Sequence, residues 1–248
     1  MTVLAAELSD LRGWSAQVGR AGADCAAASD YLAGHVTDGE FGMILELITV
    51  DYERLIPVFT EALATEGARL EATGEGIEAI VRDYAATDAR VAQDFGVGAG
   101  LRDDSLVGVG FYDVATVLPI RAPSCDTAAL PTISFGYLLD KICDLTLWVI
   151  GVDPRVYVTR WIAGDIEKAA RQASAWEQVS RCLEGVDLNL ARGQGAIDQT
   201  WTGAAATSAA AYLDQWLTAL PRQSTAAAGI AAHLRDMIRG AVDLAQNV

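Results

Sequence analysis

The side chains best suited to chemistry are few in this sequence and lie far apart. Asp103 and Asp104 form an acidic pair of the kind that binds magnesium in all-helical lyases, but in a Gly-rich stretch such a pair is commonly a solvated turn. His35 and His233 are isolated, so acid–base catalysis would rest on carboxylates, and no pair of them is marked out. The sequence has no Gly-x-Ser-x-Gly, phosphate-loop or His-Glu-x-x-His motif. We therefore expect no enzymatic activity and no cofactor.

The cysteines also fail to form a recognisable site. Cys25, Cys125, Cys143 and Cys182 are widely separated and contain no Cys-x-x-Cys pair. This spacing argues against a zinc site and against a disulfide framework. Cys25 falls on an apolar helix stripe and Cys182 falls beside one, so we expect both to be buried free thiols.

Charge and hydropathy exclude several classes of partner. The chain has 18 Lys and Arg residues against 33 Asp and Glu residues, a net charge of −15, and no basic run that would bind nucleic acid or an anionic membrane. A basic protein partner remains open. Met1–Glu7 lacks the basic region of a Sec-type signal peptide, so export would need another route. The most apolar stretch, Leu130–Val152, includes three charged residues and predicts a buried helix rather than an integral membrane segment.

Helical periodicity organises the first 96 residues. From Leu4, apolar residues recur at spacings of three and four over about 30 residues. After a Gly/Asp-rich turn, a second heptad-like stripe runs from about Phe41 to Phe95 and includes Tyr84 and Val91, with Pro57 expected to kink this helix. Two long helices joined by a short turn must lie antiparallel. Residues 1–96 are therefore predicted to be an N-terminal helical hairpin.

Residues 97–134 have a different character. Repeated Gly and Pro residues punctuate short β-branched runs, which predicts an irregular connector that packs on the bundle and carries a short strand pair near Leu106–Phe111 and Val114–Ile120.

Residues 135–248 are predicted to be a second helical region. Asp153-Pro154 resembles a helix start, and a heptad stripe then continues to about Thr200. Trp201-Thr202-Gly203 separates this helix from a last, Ala-rich helix that Pro221 should bend. The predicted fold is all-α: two long antiparallel helical hairpins packed as an elongated four-helix bundle, with the Gly/Pro-rich connector between them.

Trp201-Thr202-Gly203 lies where two long amphipathic helices meet. Here the sequence resembles the Trp-x-Gly family of small type VII secretion substrates, and the resemblance covers roughly Asp165–Val248. Members of that family are helical hairpins with this tripeptide in the turn. The chemistry suits the position, because Gly relieves the backbone and Trp supplies a large apolar plate for the open end of a bundle.

Tyr84-Ala85-Ala86-Thr87-Asp88 matches the Tyr-x-x-x-Asp/Glu pattern that the same secretion systems use as a signal. The alternative interpretation is a core tyrosine with a carboxylate nearby. In two-chain members of the system, the signal of one partner lies beside the Trp-x-Gly turn of the other. The resemblance thus implies a composite export signal made of Tyr84, Asp88, Trp201 and Gly203, in a single chain that imitates the heterodimer.

Two further segments carry weaker resemblances. The turn at Gly39-Glu40-Phe41-Gly42 resembles a related group of secretion-associated proteins in which Phe-Gly stands at this place, so the subfamily of the first hairpin is open. Phe135–Asp165 resembles the segment that precedes the Trp-x-Gly hairpin in long actinobacterial secretion-associated proteins and toxin leaders.

These resemblances imply a non-enzymatic protein that works by recognition. We expect it to be cytoplasmic before export and then secreted or held in the cell envelope by a non-Sec route. The implied partners are the type VII secretion ATPase and machinery, with another helical secretion-associated protein or a second copy of the chain also possible. The alternatives are a non-secreted adaptor or chaperone and a toxin-leader module for a separate effector, both with the same fold.

Overall fold

The computed structural model describes residues 5–39, 46–96, 108, 110–125 and 165–246. The helices in these ranges are α1 (Leu8–His35), α2 (Glu46–Asp94), α3 (Ile166–Ile197) and α4 (Ala204–Gln246). Two short strands, β1 (Ala5–Ala6) and β2 (Trp201–Thr202), pair antiparallel. Helix α1 packs on α2, α3 packs on α4, and α1 packs on α3. The predicted all-α helical bundle of two hairpins is confirmed.

The chain divides into two compact units, and each unit contains a section of all four helices. The first consists of Met1–Ser29, Ala62–Pro119 and Arg181–Ser224. The second consists of Asp30–Glu61, Ile120–Ser180 and Thr225–Val248. Each of these sections ends within a helix or within the connector.

In the first unit, the core is a set of apolar side chains at heptad spacing. Its fully buried members come from all four helices: Leu11, Val18, Leu63, Leu70, Leu183, Leu190, Leu213 and Leu220. Helices α1 and α2 approach closely, because a Cβ added to Gly22 would lie 2.7 Å from the carbonyl oxygen of Gly67. Small residues at such a crossing bring the helix axes together, so the register between α1 and α2 is tightly set.

In the second unit, a buried polar chain ties α2 to α3. The indole Nε1 of Trp176 donates to the Tyr52 hydroxyl over 2.8 Å, and that hydroxyl donates to Gln172 Oε1 over 2.7 Å. Gln172 Nε2 in turn donates to the backbone oxygen of Asp38, just beyond α1. Phe59 packs edge-on against Trp176, with ring centroids 5.0 Å apart. Because these polar groups are buried and paired, the network selects one arrangement of the three helices.

The structure corrects two predictions made from sequence. A helix that opens at Asp153-Pro154 and runs unbroken to about Thr200 is wrong, because Asp165 is non-helical and α3 begins at Ile166. The Asp165 carboxylate accepts a hydrogen bond from the Lys168 backbone N–H over 2.9 Å, as an N-cap does. The predicted strand at Val114–Ile120 is also wrong, since this segment is irregular.

Other predictions fall outside the described residues, namely those for the turn at 40–42, Asp103-Asp104, Cys143 and the apolar stretch Leu130–Val152. Helix α2 continues through Pro57, and α4 continues through Pro221. None of the helices in the described ranges is long and apolar enough to cross a membrane.

Candidate functional site

The Trp201-Thr202-Gly203 tripeptide forms the connection between α3 and α4 in the first unit. After α3 ends at Ile197, three turn residues lead into β2, and Gly203 adopts a positive φ of 118°. The Gly203 carbonyl oxygen then accepts hydrogen bonds from the backbone N–H of Thr207 over 3.0 Å and from its hydroxyl over 3.1 Å. Glycine therefore serves two purposes here, since it supplies a backbone conformation that side chains disfavour and it begins α4.

Trp201 holds this turn against the start of α1. Its side chain is only 3% exposed, and its ring packs edge-on against Trp14 with centroids 5.9 Å apart. Ala6 pairs with Trp201 in the two-stranded ladder, and the Glu7 N–H donates to the Thr200 carbonyl over 3.2 Å. Neither indole N–H has an acceptor within the described part of the chain, so ring packing and the backbone ladder fix the tryptophan. Trp201 is thus a structural anchor, whereas Thr202 is the exposed member of the tripeptide.

The antiparallel register of α1 and α2 fixes the level of Tyr84. Arg12 Nε lies 3.9 Å from Glu78 Oε1, and one turn further along α1 the Ser15 hydroxyl donates to the Gly74 carbonyl over 2.8 Å. Six residues before Arg12 stands Ala6, which pairs with Trp201, and six residues after Glu78 stands Tyr84. Because α1 and α2 are antiparallel, the residues before Arg12 and the residues after Glu78 lie toward one end, so Tyr84 and Trp201 belong to the same end of the first unit.

The last three turns of α2 carry the predicted signal on an accessible face. Tyr84 is half-buried and Asp88 is exposed, while Val81, one turn earlier, is fully buried. Val91 and Phe95 follow on the same face and are 48% and 78% exposed. The heptad-like stripe therefore continues to Val91, but its full burial ends at Val81, because the segment of α2 after Val81 lies beyond the level at which α1 begins.

The sequence pattern identifies Phe95 only as the end of a helix and gives it no functional role. Its spacing of four from Val91 and of seven from Asp88 is the pattern that could have identified it. Four side chains at spacings of four, three and four thus form one exposed surface. We call this surface, made of Tyr84, Asp88, Val91 and Phe95, the α2 end face.

The connector lies along α1 and α3 in the first unit. Arg20 makes a two-pronged ion pair with Asp113, at 2.7 and 3.0 Å, and also donates to the carbonyl of Phe111. The Asn189 side chain accepts from the backbone N–H of Ala115 over 2.9 Å and donates to its carbonyl over 3.0 Å. Arg20 and Asn189 thus hydrogen-bond to backbone groups of the connector with which a neighbouring strand would otherwise pair.

Burial shifts the pKa values of several ionisable groups in the first unit. Burial raises the pKa of Asp24 to about 6 and that of the Cys182 thiol to about 12. Burial also raises the pKa of Glu66, which accepts a hydrogen bond from Gln223. Among the residues that the structure describes, no three His, Cys, Asp or Glu side chains are placed to hold a metal ion.

Comparisons with protein-family models, with curated proteins and with solved structures find no match for this chain.

Proposed function

We propose that this chain is a type VII secretion substrate or secretion-associated protein that acts by protein–protein recognition. In this proposal it imitates, in one polypeptide, a heterodimer of Trp-x-Gly proteins. Its export signal is composite, with Tyr84 and Asp88 on the N-terminal hairpin and Trp201 and Gly203 in the turn of the C-terminal hairpin. The export ATPase is the proposed partner, and the protein is expected outside the cell or in its envelope after export.

The observation that carries the proposal is that the two halves of this signal lie at the same end of the first unit. The Trp-x-Gly tripeptide occupies the turn between two long helices, as the resemblance implies. The pairing of Ala6 with Trp201 and the contact of Arg12 with Glu78 relate that turn to the end of α2 that carries Tyr84. Two patterns that are each short enough to occur by chance gain weight when they belong to one end of one unit.

The exposure of each residue indicates different roles for Trp201 and for the α2 end face. Trp201 is buried, so it would shape the site without touching a partner. The α2 end face is accessible and combines an aromatic ring, a carboxylate and two apolar side chains, which is a suitable composition for a small docking site. We expect a partner to contact Tyr84, Asp88 and the apolar residues after them.

Export in a host with a type VII secretion system tests the proposal. The intact protein should accumulate in the culture supernatant, and Tyr84→Ala should reduce the exported fraction by at least about tenfold, the effect of losing one aromatic anchor. Asp88→Ala should give a loss of similar sign. Because Trp201→Ala would remove a buried anchor and cost about 3–5 kcal/mol of folding stability, it cannot separate export from folding.

The matched control is Asp83→Ala, which removes an exposed carboxylate from another face of the same helix and should leave export unchanged. Far-ultraviolet circular dichroism of each purified variant checks that α2 is still folded. Normal export of Tyr84→Ala would refute the composite signal. Retention of the intact protein inside the cell would instead favour the non-secreted adaptor.

A further inference from the structure

Two buried thiols lie on neighbouring stretches of α1 and α3 in the first unit. Cys25 is fully buried on α1, and Cys182 is 3% exposed on α3. Both are free thiols. Cys182 Sγ lies 3.8 Å from the backbone oxygen of Asp24, the residue immediately before Cys25. The Cys182 sulfur therefore already lies against the backbone that carries the other cysteine.

The register of α1 and α3 places both cysteines at one level and on one face. Gly193 of α3 lies against Trp14 of α1, where an added Cβ would come within 3.1 Å of the indole Cδ1. Eleven residues along α1 from Trp14 is Cys25, and eleven residues back along α3 from Gly193 is Cys182. Eleven residues make just over three full helical turns, so both steps return to the same side of their helix.

We propose that Cys25 and Cys182 form a disulfide bond when the protein meets an oxidising pool of small-molecule disulfides, and that this bond joins the N-terminal hairpin to the C-terminal hairpin. The proposal rests on the proposed function for its setting, because export would carry the chain from a reducing to an oxidising compartment. The contact of Cys182 with the backbone next to Cys25 is independent of that setting.

The chemistry is two successive thiol–disulfide exchanges. One protein thiol loses its proton, and its thiolate attacks a sulfur of glutathione disulfide, forming a mixed disulfide and releasing one glutathione thiolate. The second protein thiolate then attacks the protein sulfur of that mixed disulfide, forming the Cys25–Cys182 bond and releasing the second glutathione. Both protein thiols are oxidised, and glutathione disulfide is reduced to two glutathione molecules.

Burial controls the rate of this reaction. Low polarity around both sulfurs raises the pKa of each thiol, so little thiolate exists in the closed bundle. Exchange should therefore be slow in the native protein and should accelerate when α1 and α3 separate transiently. The pair would stay reduced through brief oxidative events and would close during prolonged exposure.

The test uses the purified full chain with Cys125→Ser and Cys143→Ser, which leaves only the proposed pair. Glutathione disulfide is added with and without urea just below the unfolding midpoint. The expected result is a mass loss of about 2 Da for the two hydrogens and a cross-linked peptide containing Cys25 and Cys182. The melting temperature should rise by about 5–15 °C, reversibly with dithiothreitol, and urea should accelerate the reaction.

Cys182→Ser in the same background is the control, and it should show neither the mass loss nor the rise in melting temperature. Stable mixed disulfides with glutathione, or covalent dimers in place of the internal bond, would overturn the proposal. In the chain with all four cysteines, a bond from Cys25 to Cys125 or Cys143 would overturn it as well. These outcomes leave the export test untouched, since the exchange is measured on purified protein and export is measured on the culture supernatant.

Discussion

Gly203 allows a sharp test of the turn on which the functional proposal depends. Its φ of 118° lies in the region that residues with a Cβ disfavour, and its carbonyl accepts the first hydrogen bonds of α4. Gly229 lies inside α4, and an added Cβ there would meet nothing within 4 Å. The same change, Gly to Ala, should therefore have opposite effects at the two positions.

The magnitudes follow from the backbone. Alanine at position 203 either adopts the strained conformation or forces the turn to shift, at a cost of about 1–3 kcal/mol in the free energy of unfolding. Alanine at position 229 removes the entropic penalty of a glycine within a helix and should stabilise the protein by about 0.5–1 kcal/mol. For a chain of this size, these values correspond to a fall of roughly 2–12 °C for Gly203→Ala and a rise of roughly 1–4 °C for Gly229→Ala.

Thermal melts followed by far-ultraviolet circular dichroism, with urea titrations of the same samples, measure both changes. The sign difference is the informative quantity, because any general effect of an added methyl group would be shared by both variants. If Gly203→Ala melts at or above the temperature of the unmodified chain, the turn does not require glycine. The positive φ would then give no physical reason for the last residue of the tripeptide.

Two further predictions concern the buried polar groups. Tyr52→Phe should lower the free energy of unfolding by about 2–4 kcal/mol, because Trp176 Nε1 loses its acceptor and Gln172 Oε1 loses its donor. The control is Tyr31→Phe, which removes a solvent-exposed hydroxyl contact and should cost less than about 1 kcal/mol in the same urea titration. Equal losses in the two variants would refute the network. The raised pKa of Asp24, about 6 against an ordinary value of 3.8, means that the folded state holds its proton longer than the unfolded state, so Asp24 lowers stability progressively as pH rises from about 4 to 6. Asp24→Asn should remove that component from melting temperatures measured across this range, whereas the exposed Asp30→Asn should not, and identical profiles for the two variants would contradict it.

Helix identity was predictable from sequence because it depends on local periodicity. The stripe from Trp176 to Ile197 marks α3, and Gly203 marks the start of α4, since both signals lie within a few residues of the feature they specify. The true start of α3 at Ile166 also had a local signal, because Gly164-Asp165 is a good helix-capping sequence. Asp153-Pro154 offered a second capping sequence, and local reasoning had no means of choosing between the two.

The remaining features depend on contacts between distant parts of the chain. Ala5 and Ala6 have no strand-forming tendency of their own, and they form β1 only because the backbone of Trp201 and Thr202 is adjacent. Val114–Ile120 shows the opposite case. Its β-branched composition suits a strand, but the Asn189 side chain hydrogen-bonds to the backbone N–H and carbonyl of Ala115. Composition alone could not identify those partners.

The same reasoning explains why Val91 and Phe95 could not be assigned to the α2 end face from sequence, although the signal pattern identified Tyr84 and Asp88. The spacing of Tyr84 and Val91 continues the apolar stripe of α2, so periodicity alone does not show at which residue burial ends. What ends burial is the length of a different helix, because α1 begins at Leu8 and its register with α2 leaves no α1 residue opposite the last turns. Where α2 extends beyond the start of α1, its apolar spacing continues but its Val91 and Phe95 side chains are exposed.

Helix α1 is therefore the element on which the proposed recognition site depends, although it contributes none of the four predicted signal residues. Its N-terminal extension is paired with Trp201, its Arg12 and Ser15 set the register with α2, and its Cys25 lies level with Cys182 of α3. In a two-chain complex, the corresponding alignment would depend on association at cellular concentrations. Within one chain it is intramolecular, so the two halves of the proposed signal are held together at any concentration. A disulfide between α1 and α3 would hold α1 against α3 covalently, and so would preserve this alignment through the proposed export.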